Sequence, residues 1–272
     1  MNLSINTRFA FHLSEQADVL LQFEAAATSG QSLLTSDTKL TTLQNTRRVA
    51  AQDNVGERLW IRGDGLFEAN YASTIRVDRS IPDFSAMEAV APQDMPAETT
   101  QYLFDSRYCP ADQFQPFVSA EFAGTSAGPR IEDIRDWIAQ NFTYQSGTSD
   151  TRTDARDSFI ERRGICRDYA HVMVTLARAS GIPARYVAGY APQVDPPDFH
   201  AVAEVYLHDP ASAASDKETG GWHMLDPTGM SNAASFAKIG VGRDAADVSF
   251  LTAFGPCKFL SSAVQVSVLN DE

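Results

Sequence analysis

One segment limits the folds open to this chain more than any other: Cys166 to Ser180, bounded by Gly164 before it and by Gly181 and Pro183 behind it. Beyond its first turn the segment is apolar on almost every side, which predicts a helix buried against a sheet. Gly164 stops the helix that precedes it, and Gly181 followed by Pro183 ends it. A cysteine opens this buried helix. A thiol is a useful nucleophile only as thiolate, and a helix N-terminus near an imidazolium favours that form. A lone cysteine before a buried helix is nonetheless ordinarily a small packed hydrophobe, so other residues must carry the functional argument.

The surroundings define the fold class. Strands are predicted at about 184–190, 200–207, 222–226 and 263–269 from their β-favouring residues. A helix is predicted from Pro129, with Ile131, Ile134, Ile138 and Phe142 on one face, and a shorter one over about 154–162. The core is thus expected to be one helix packed on an antiparallel sheet. The first third has a period of two. Residues 66–77 place Phe67, Ala69, Tyr71, Ile75 and Val77 on one side, and further strands are expected at 6–13, 18–25 and 31–40, giving an antiparallel β-sandwich. Between about 80 and 118, Pro82, Pro92, Pro96, Pro110 and Pro116 disfavour long elements, while Tyr102, Phe104, Tyr108, Phe114 and Phe117 suit packing on a domain surface. The expected organisation is α+β, with a β-sandwich domain over residues 1–100, a connecting segment over 101–128 and a helix-and-sheet domain over 129–272.

A formal net charge of -13 argues against nucleic acid or an anionic membrane surface as a partner, since both would repel the chain. Residues 1–13 lack a basic segment followed by an apolar block, so no signal peptide is expected, and no stretch approaches the length of a membrane span. Three widely spaced cysteines, 109, 166 and 257, suit a reducing compartment, the cytoplasm by default. There is no CxxC, HExxH, carboxylate loop or glycine-rich phosphate loop. No metal and no cofactor are expected.

His200 begins a predicted strand after the proline-rich turn 192–199, where a base has room to take a thiol proton. Asp226 sits at a strand end because Pro227 forbids continuation, and a carboxylate there can hold the tautomer of an imidazole. Glu204 shares a strand face with His200 and is an alternative partner, although pairing with a basic side chain is its simpler role. His171 lies at i+5 from Cys166 and points away from it, so it reads as a core histidine. His223 faces away from Asp226, His208 falls in a turn and His12 lies in the other domain. Arg167, Asp168, Trp222 and Tyr190 are candidates for substrate contact; local pairing, capping and core packing are the plainer alternatives. Arg185 and Arg243 read as salt-bridge residues, Asp198 as a loop carboxylate, and Cys109 and Cys257 as packed thiols.

The chain resembles bacterial transglutaminase-like proteins in three blocks: Gly164-Ile165-Cys166-Arg167-Asp168-Tyr169-Ala170 running into Gly181-Ile182-Pro183-Ala184-Arg185-Tyr186, then Asp198-Phe199-His200-Ala201, then Trp222-His223-Met224-Leu225-Asp226-Pro227-Thr228. The β-rich N-terminal part and the motif from Gly242 to Val248 are similar to a bacterial subgroup of that family. The resemblance implies a papain-like core with a triad of Cys166, His200 and Asp226. It also implies a peptide or protein amide substrate handled through a thioester, by hydrolysis or transamidation. Two expectations follow: Cys166→Ala abolishes activity with the fold intact, and Asp226→Asn slows the reaction with little loss of stability. The competing reading is a catalytically vestigial peptide-binding or scaffolding module. An oxyanion hole would take one donor from the Cys166 N–H; the sequence names no second donor.

Overall fold

Alternation of buried and more exposed side chains along two long strands organises the N-terminal third as a sheet. In the computed structural model of the chain, which describes residues 1–41, 46–211 and 220–269, β1 (Asn2–Leu21) buries Leu3, Ile5, Thr7, Phe9, Phe11 and Leu13. The strands β2 (Gln31–Leu40) and β3 (Thr46–Ala50) pair one after the other with one edge of β4 (Glu57–Val77), and β1 takes the other edge over nearly its whole length. Phe67, Ala69, Tyr71, Ile75 and Val77 all point inward, on the face the period-two pattern predicts. A register shift between Leu13 and Ala17 merges the two strands expected at 6–13 and 18–25 into one.

Short elements follow in the proline-containing stretch: α1 (Ala97–Thr100) and α2 (Gln115–Glu121). Phe84, Met87, Phe114 and Val118 pack into the main core there. The rest of the core comprises α3 (Ala127–Asn141), β5 (Thr143–Tyr144), α4 (Ala155–Glu161), β6 (Arg163–Gly164) and α5 (Cys166–Ala179). The strands β7 (Ala184–Tyr190), β8 (His200–Leu207), β9 (Gly221–Leu225) and β10 (Ala237–Gly242) then form an antiparallel sheet in the order β10-β7-β8-β9. One face of that sheet carries α5, with Val172, Met173 and Leu176 against Ala203, Val205 and Leu207. Each fully buried side chain of this kind contributes about 1.5–3 kcal/mol before entropy is counted.

The chain ends in β11 (Leu251–Ala253) and β12 (Cys257–Leu269), and both pair with β1. This corrects the expected assignment of residues 263–269 to the core sheet and the boundary that grouped 129–272 together. Alternation shows which residues of a strand face inward but not which sheet receives them: Val264 lies opposite Thr7 and Val266 opposite Ile5. The sandwich expected of residues 1–100 is therefore completed by other parts of the chain. Its six-stranded sheet takes two strands from the C-terminus, and its inner face packs against Tyr190, Ala237 and Ile239 of the core sheet. The Gln31 side chain bridges the layers, donating to the Lys238 carbonyl at 2.9 Å and accepting from the Lys238 N–H at 2.7 Å.

Candidate active site

Cys166 owes its position to a tightly specified helix start. The Asp168 carboxylate accepts the Ile165 N–H at 2.9 Å, capping the first turn. Its side chain lies so close to Gly164 that a Cβ there would come within 2.6 Å of it. Gly181, at φ +76°, turns the chain out of the helix at the other end, a conformation that costs glycine least. Cys166 is thus held at the first residue of α5, where backbone N–H groups lack intrahelical acceptors. It is 9% exposed, and its Sγ lies 4.0 Å from the Phe199 carbonyl oxygen.

His200 opens β8 and Asp226 follows the last residue of β9, so antiparallel pairing of these strands brings the two together. His200 Nε2 lies 2.8 Å from Asp226 Oδ2. Asp226 also accepts from the N–H and hydroxyl of Thr228 at 2.8 and 2.7 Å, and from the N–H and hydroxyl of Ser231 at 2.8 and 2.7 Å. Burial alone would raise its pKa, but the His200 hydrogen bond and charge, helped by those of Thr228 and Ser231, hold it below the ordinary carboxylate value. Burial likewise works against charge on His200. The Asp226 hydrogen bond and the neighbouring Cys166 thiol outweigh it and push the imidazole up to about 9. The remaining ring nitrogen, Nδ1, is buried without a hydrogen-bond partner among the described residues.

Tyr144 completes the surroundings of the thiol and had no signal in the sequence. The two-residue pairing of β5 with β6 sets it beside Gly164, with Gln145 N–H donating to the Gly164 carbonyl at 2.9 Å, and its side chain packs against the Cys166 cluster. Burial and the adjacent Cys166 sulfur both raise the pKa of its hydroxyl, which also faces the Cys166 N–H. The loop after β10 forms another side, with Ala245 and Val248 packed on the same cluster.

The four candidate contact residues have structural duties. Arg167 donates to Asp168 and, at 2.7 Å, to the Asp150 carbonyl. Asp168 is wholly buried as the cap. Trp222 lies under the Arg185 guanidinium, 4.1 Å from ring centre to Cζ. Tyr190 is fully buried, its hydroxyl donating to the Phe23 carbonyl at 2.5 Å, so it offers no surface to a substrate. Its place in the apolar layer between the sheets is what the expectation of substrate contact lacked.

Glu204 pairs with Arg185 and Lys238, away from the His200 nitrogens, and Arg243 pairs with Asp247. Asp198 is an exposed loop carboxylate accepting the Phe199 N–H. His171 is packed between Tyr108 and Tyr186 and accepts the Ala245 N–H at 3.1 Å; burial, then the Arg167 charge, lowers its pKa to about 3. Among the described residues, no three His, Cys, Asp or Glu side chains group as a metal site, and no helix is long and apolar enough to cross a membrane.

Residues 118–227, which span α5, His200 and Asp226, match the transglutaminase-like superfamily. The crystal structure of a candidate cysteine protease from Cytophaga hutchinsonii superposes with a TM-score of 0.90 at 28% identity, covering 100% of this chain and 92% of that one. Residues 118–227 thus carry a transglutaminase-like core, similar to that of bacterial proteins of this superfamily. Among curated relatives, an uncharacterized protein of Mycobacterium leprae is 33% identical over 114 residues, 42% of this chain and 39% of the relative. One from Mycobacterium tuberculosis is 28% identical over 196 residues, 69% of this chain and 62% of the relative. The chain thus spans less than two thirds of the length of these relatives.

Proposed function

We propose that this transglutaminase-like protein is a cysteine-dependent amide or peptide hydrolase, or a transamidase, acting through a thioester on Cys166. The observation that carries the reading is the state of His200: Nε2 is committed to a fully hydrogen-bonded carboxylate, while Nδ1 has no oxygen or nitrogen partner among the described residues and the Cys166 thiol lies beside the ring. In this reading the thiol proton passes to Nδ1 and the sulfur forms a bond to the carbonyl carbon of the substrate, whose oxygen takes up the displaced electron pair. The Cys166 N–H is one donor to that oxyanion and the Tyr144 hydroxyl the second. Nδ1–H then protonates the leaving amine as the C–N bond breaks. Water attacks the thioester, returning its proton through His200 and releasing the acid; an amine in its place yields a new amide. Hydrolysis is the preferred outcome, because water reaches any unshielded thioester. A peptide or protein amide as substrate is supported by the superfamily and by the description of the Cytophaga protein.

The vestigial binding module is the second reading, and the small exposure of Cys166 favours it. Alkylation by iodoacetamide between pH 4 and 9 separates the two. Fast reaction of Cys166 below pH 7, lost in His200→Ala, is expected of the enzyme. Cys109, which burial holds up at about 12, and Cys257 serve as internal controls. Reaction of Cys166 no faster than theirs would leave the binding module.

A further inference from the structure

An aromatic row leads away from the nucleophile toward the open edge of the N-terminal sheet. Phe199 stands at its inner end: its carbonyl oxygen is the atom 4.0 Å from Cys166 Sγ, and His200 is the next residue. The Phe199 ring stacks on Phe250, with centroids 4.9 Å apart and planes at 16°. Phe250 in turn meets Phe259 edge-on at 5.6 Å. Val248, two residues before Phe250, packs on the Cys166 cluster itself, so the loop after β10 borders the thiol and supplies the middle ring.

The outer end of the row is uncovered. Phe259 lies directly opposite Phe11 in the β1–β12 register, and residues so paired share one face. Phe11 is buried on the inner face of the sheet, whereas Phe259 is 45% exposed and its neighbour Leu260 46%. The core therefore covers the inner face as far as Phe250 and stops short of Phe259. Exposed apolar surface that forms a contiguous patch beside a candidate site is a place for a ligand. Phe250 is also fixed: its carbonyl accepts the Gln22 N–H at 3.0 Å, and its ring rests on Phe9 at 5.8 Å.

We propose that Phe199, Phe250 and Phe259 form a substrate shelf that receives an aromatic or large aliphatic side chain of the acyl-donor peptide. The centroid steps of 4.9 and 5.6 Å make the row at most about 10 Å long, the reach of about three residues of extended chain, so that side chain is expected a few residues before the reactive amide. The N-terminal sheet, through β12, thereby supplies substrate specificity to a nucleophile carried by the core. This inference rests on Cys166 being the reactive thiol.

The test uses the full-length protein and peptidyl chloromethyl ketones, which trap a cysteine by forming an S–C bond and expelling chloride. Inactivation rates are compared for probes carrying Phe, Leu, Gly or Asp at each of three positions before the ketone, with iodoacetamide as a probe that needs no shelf. Phe and Leu are expected to exceed Gly at one position by about tenfold or more, as one apolar contact can. Phe259→Ser should bring them within about threefold of Gly, Phe259→Leu should restore most of the preference, and neither should alter the iodoacetamide rate. Phe259 is the chosen position because its exposure leaves the fold little dependent on it. If Cys166 reacts with iodoacetamide but the probes show no apolar preference, or one that survives Phe259→Ser, the shelf is wrong and the nucleophile stands. Concentration-dependent dimerisation abolished by Phe259→Ser, with the preference unchanged, would assign the patch to self-association instead. A Cys166 inert to every probe removes the catalytic reading and the shelf with it.

Discussion

Two buried charged clusters share β8, four residues apart. Around Glu204, the carboxylate and the two cations bonded to it are paired in full. One carboxylate oxygen accepts from Arg185 at 2.7–2.8 Å and the other pairs with Lys238, while Arg185 reaches Asp53 at 2.9 Å and Asp53 accepts the Tyr102 hydroxyl at 2.6 Å. Lys238 first, then Arg185, overcomes the burial of Glu204 and holds its pKa down at about 2. Around His200 the carboxylate is equally saturated, but among the described residues Nδ1 of the imidazole meets no oxygen or nitrogen partner and has only the Cys166 thiol beside it. A saturated cluster has only stability to contribute, and it joins β7, β8 and β10 to the segment after β3. An unsatisfied buried nitrogen costs free energy in the resting protein, and that cost is explicable if the atom exchanges a proton with the thiol.

The comparison breaks most sharply if the clusters are disabled in turn. Cys166→Ala should abolish amide turnover, a loss of at least about four orders of magnitude, with an unchanged thermal midpoint. Glu204→Ala should do the reverse. Leaving Lys238 buried without its carboxylate, and Arg185 with Asp53 alone, costs about 3–5 kcal/mol, read as a lower urea midpoint, while Cys166 in the remaining folded protein keeps its alkylation rate. A Glu204→Ala variant of normal stability would show that the paired cluster is not the structural one. Next in size is Asp226→Asn, expected to slow turnover about 10²–10⁴-fold. The five donors around Asp226 correct the expectation that this change leaves stability intact: an amide turns an N–H toward groups that themselves donate. A loss of about 1–3 kcal/mol is expected in urea titration.

Tyr144→Phe is a milder perturbation. It removes one proposed oxyanion donor and should lower kcat about 10–100-fold with little change in KM or in the Cys166 alkylation rate. An unaltered kcat would send the search for the second donor elsewhere.

The difference between the clusters was only partly legible in the sequence. The helix behind Cys166 was readable because burial on all sides and two bounding glycines leave few alternatives, and Asp226 was readable because Pro227 ends its strand. What escaped was everything set by pairing across distant segments. Tyr144 reaches the thiol through a two-residue strand partner, and Thr228 and Ser231 reach Asp226 through a turn whose geometry has no periodic signature. Lys238 meets Glu204 from β10, for which no strand was expected. Residues 264–268 of β12 alternate valine with polar residues as many strands do, so the strand's partner, and with it the place of Phe259, lay outside what periodicity encodes.

The last effect concerns pH and sets His200 against a second buried histidine. His200 has a folded pKa near 9 against about 6.5 unfolded, so the folded protein binds more protons between those values. Its contribution to stability is complete below about pH 6.5 and is lost as pH rises through 9. His171, lowered to about 3, behaves oppositely: its contribution is complete above about pH 6.5 and is lost as pH falls toward 3. Stability should therefore peak near pH 6.5, seen as a maximum in the urea midpoint between pH 5 and 9. His200→Gln should flatten the alkaline side only, and His171→Gln the acid side only. The same alkaline limb should appear in turnover, since the imidazolium that protonates the leaving amine disappears above about pH 9. An alkaline decline in stability that persists in His200→Gln would mean that the Asp226 pair holds no proton in this range, and the contrast with the saturated Glu204 cluster would then rest on geometry alone.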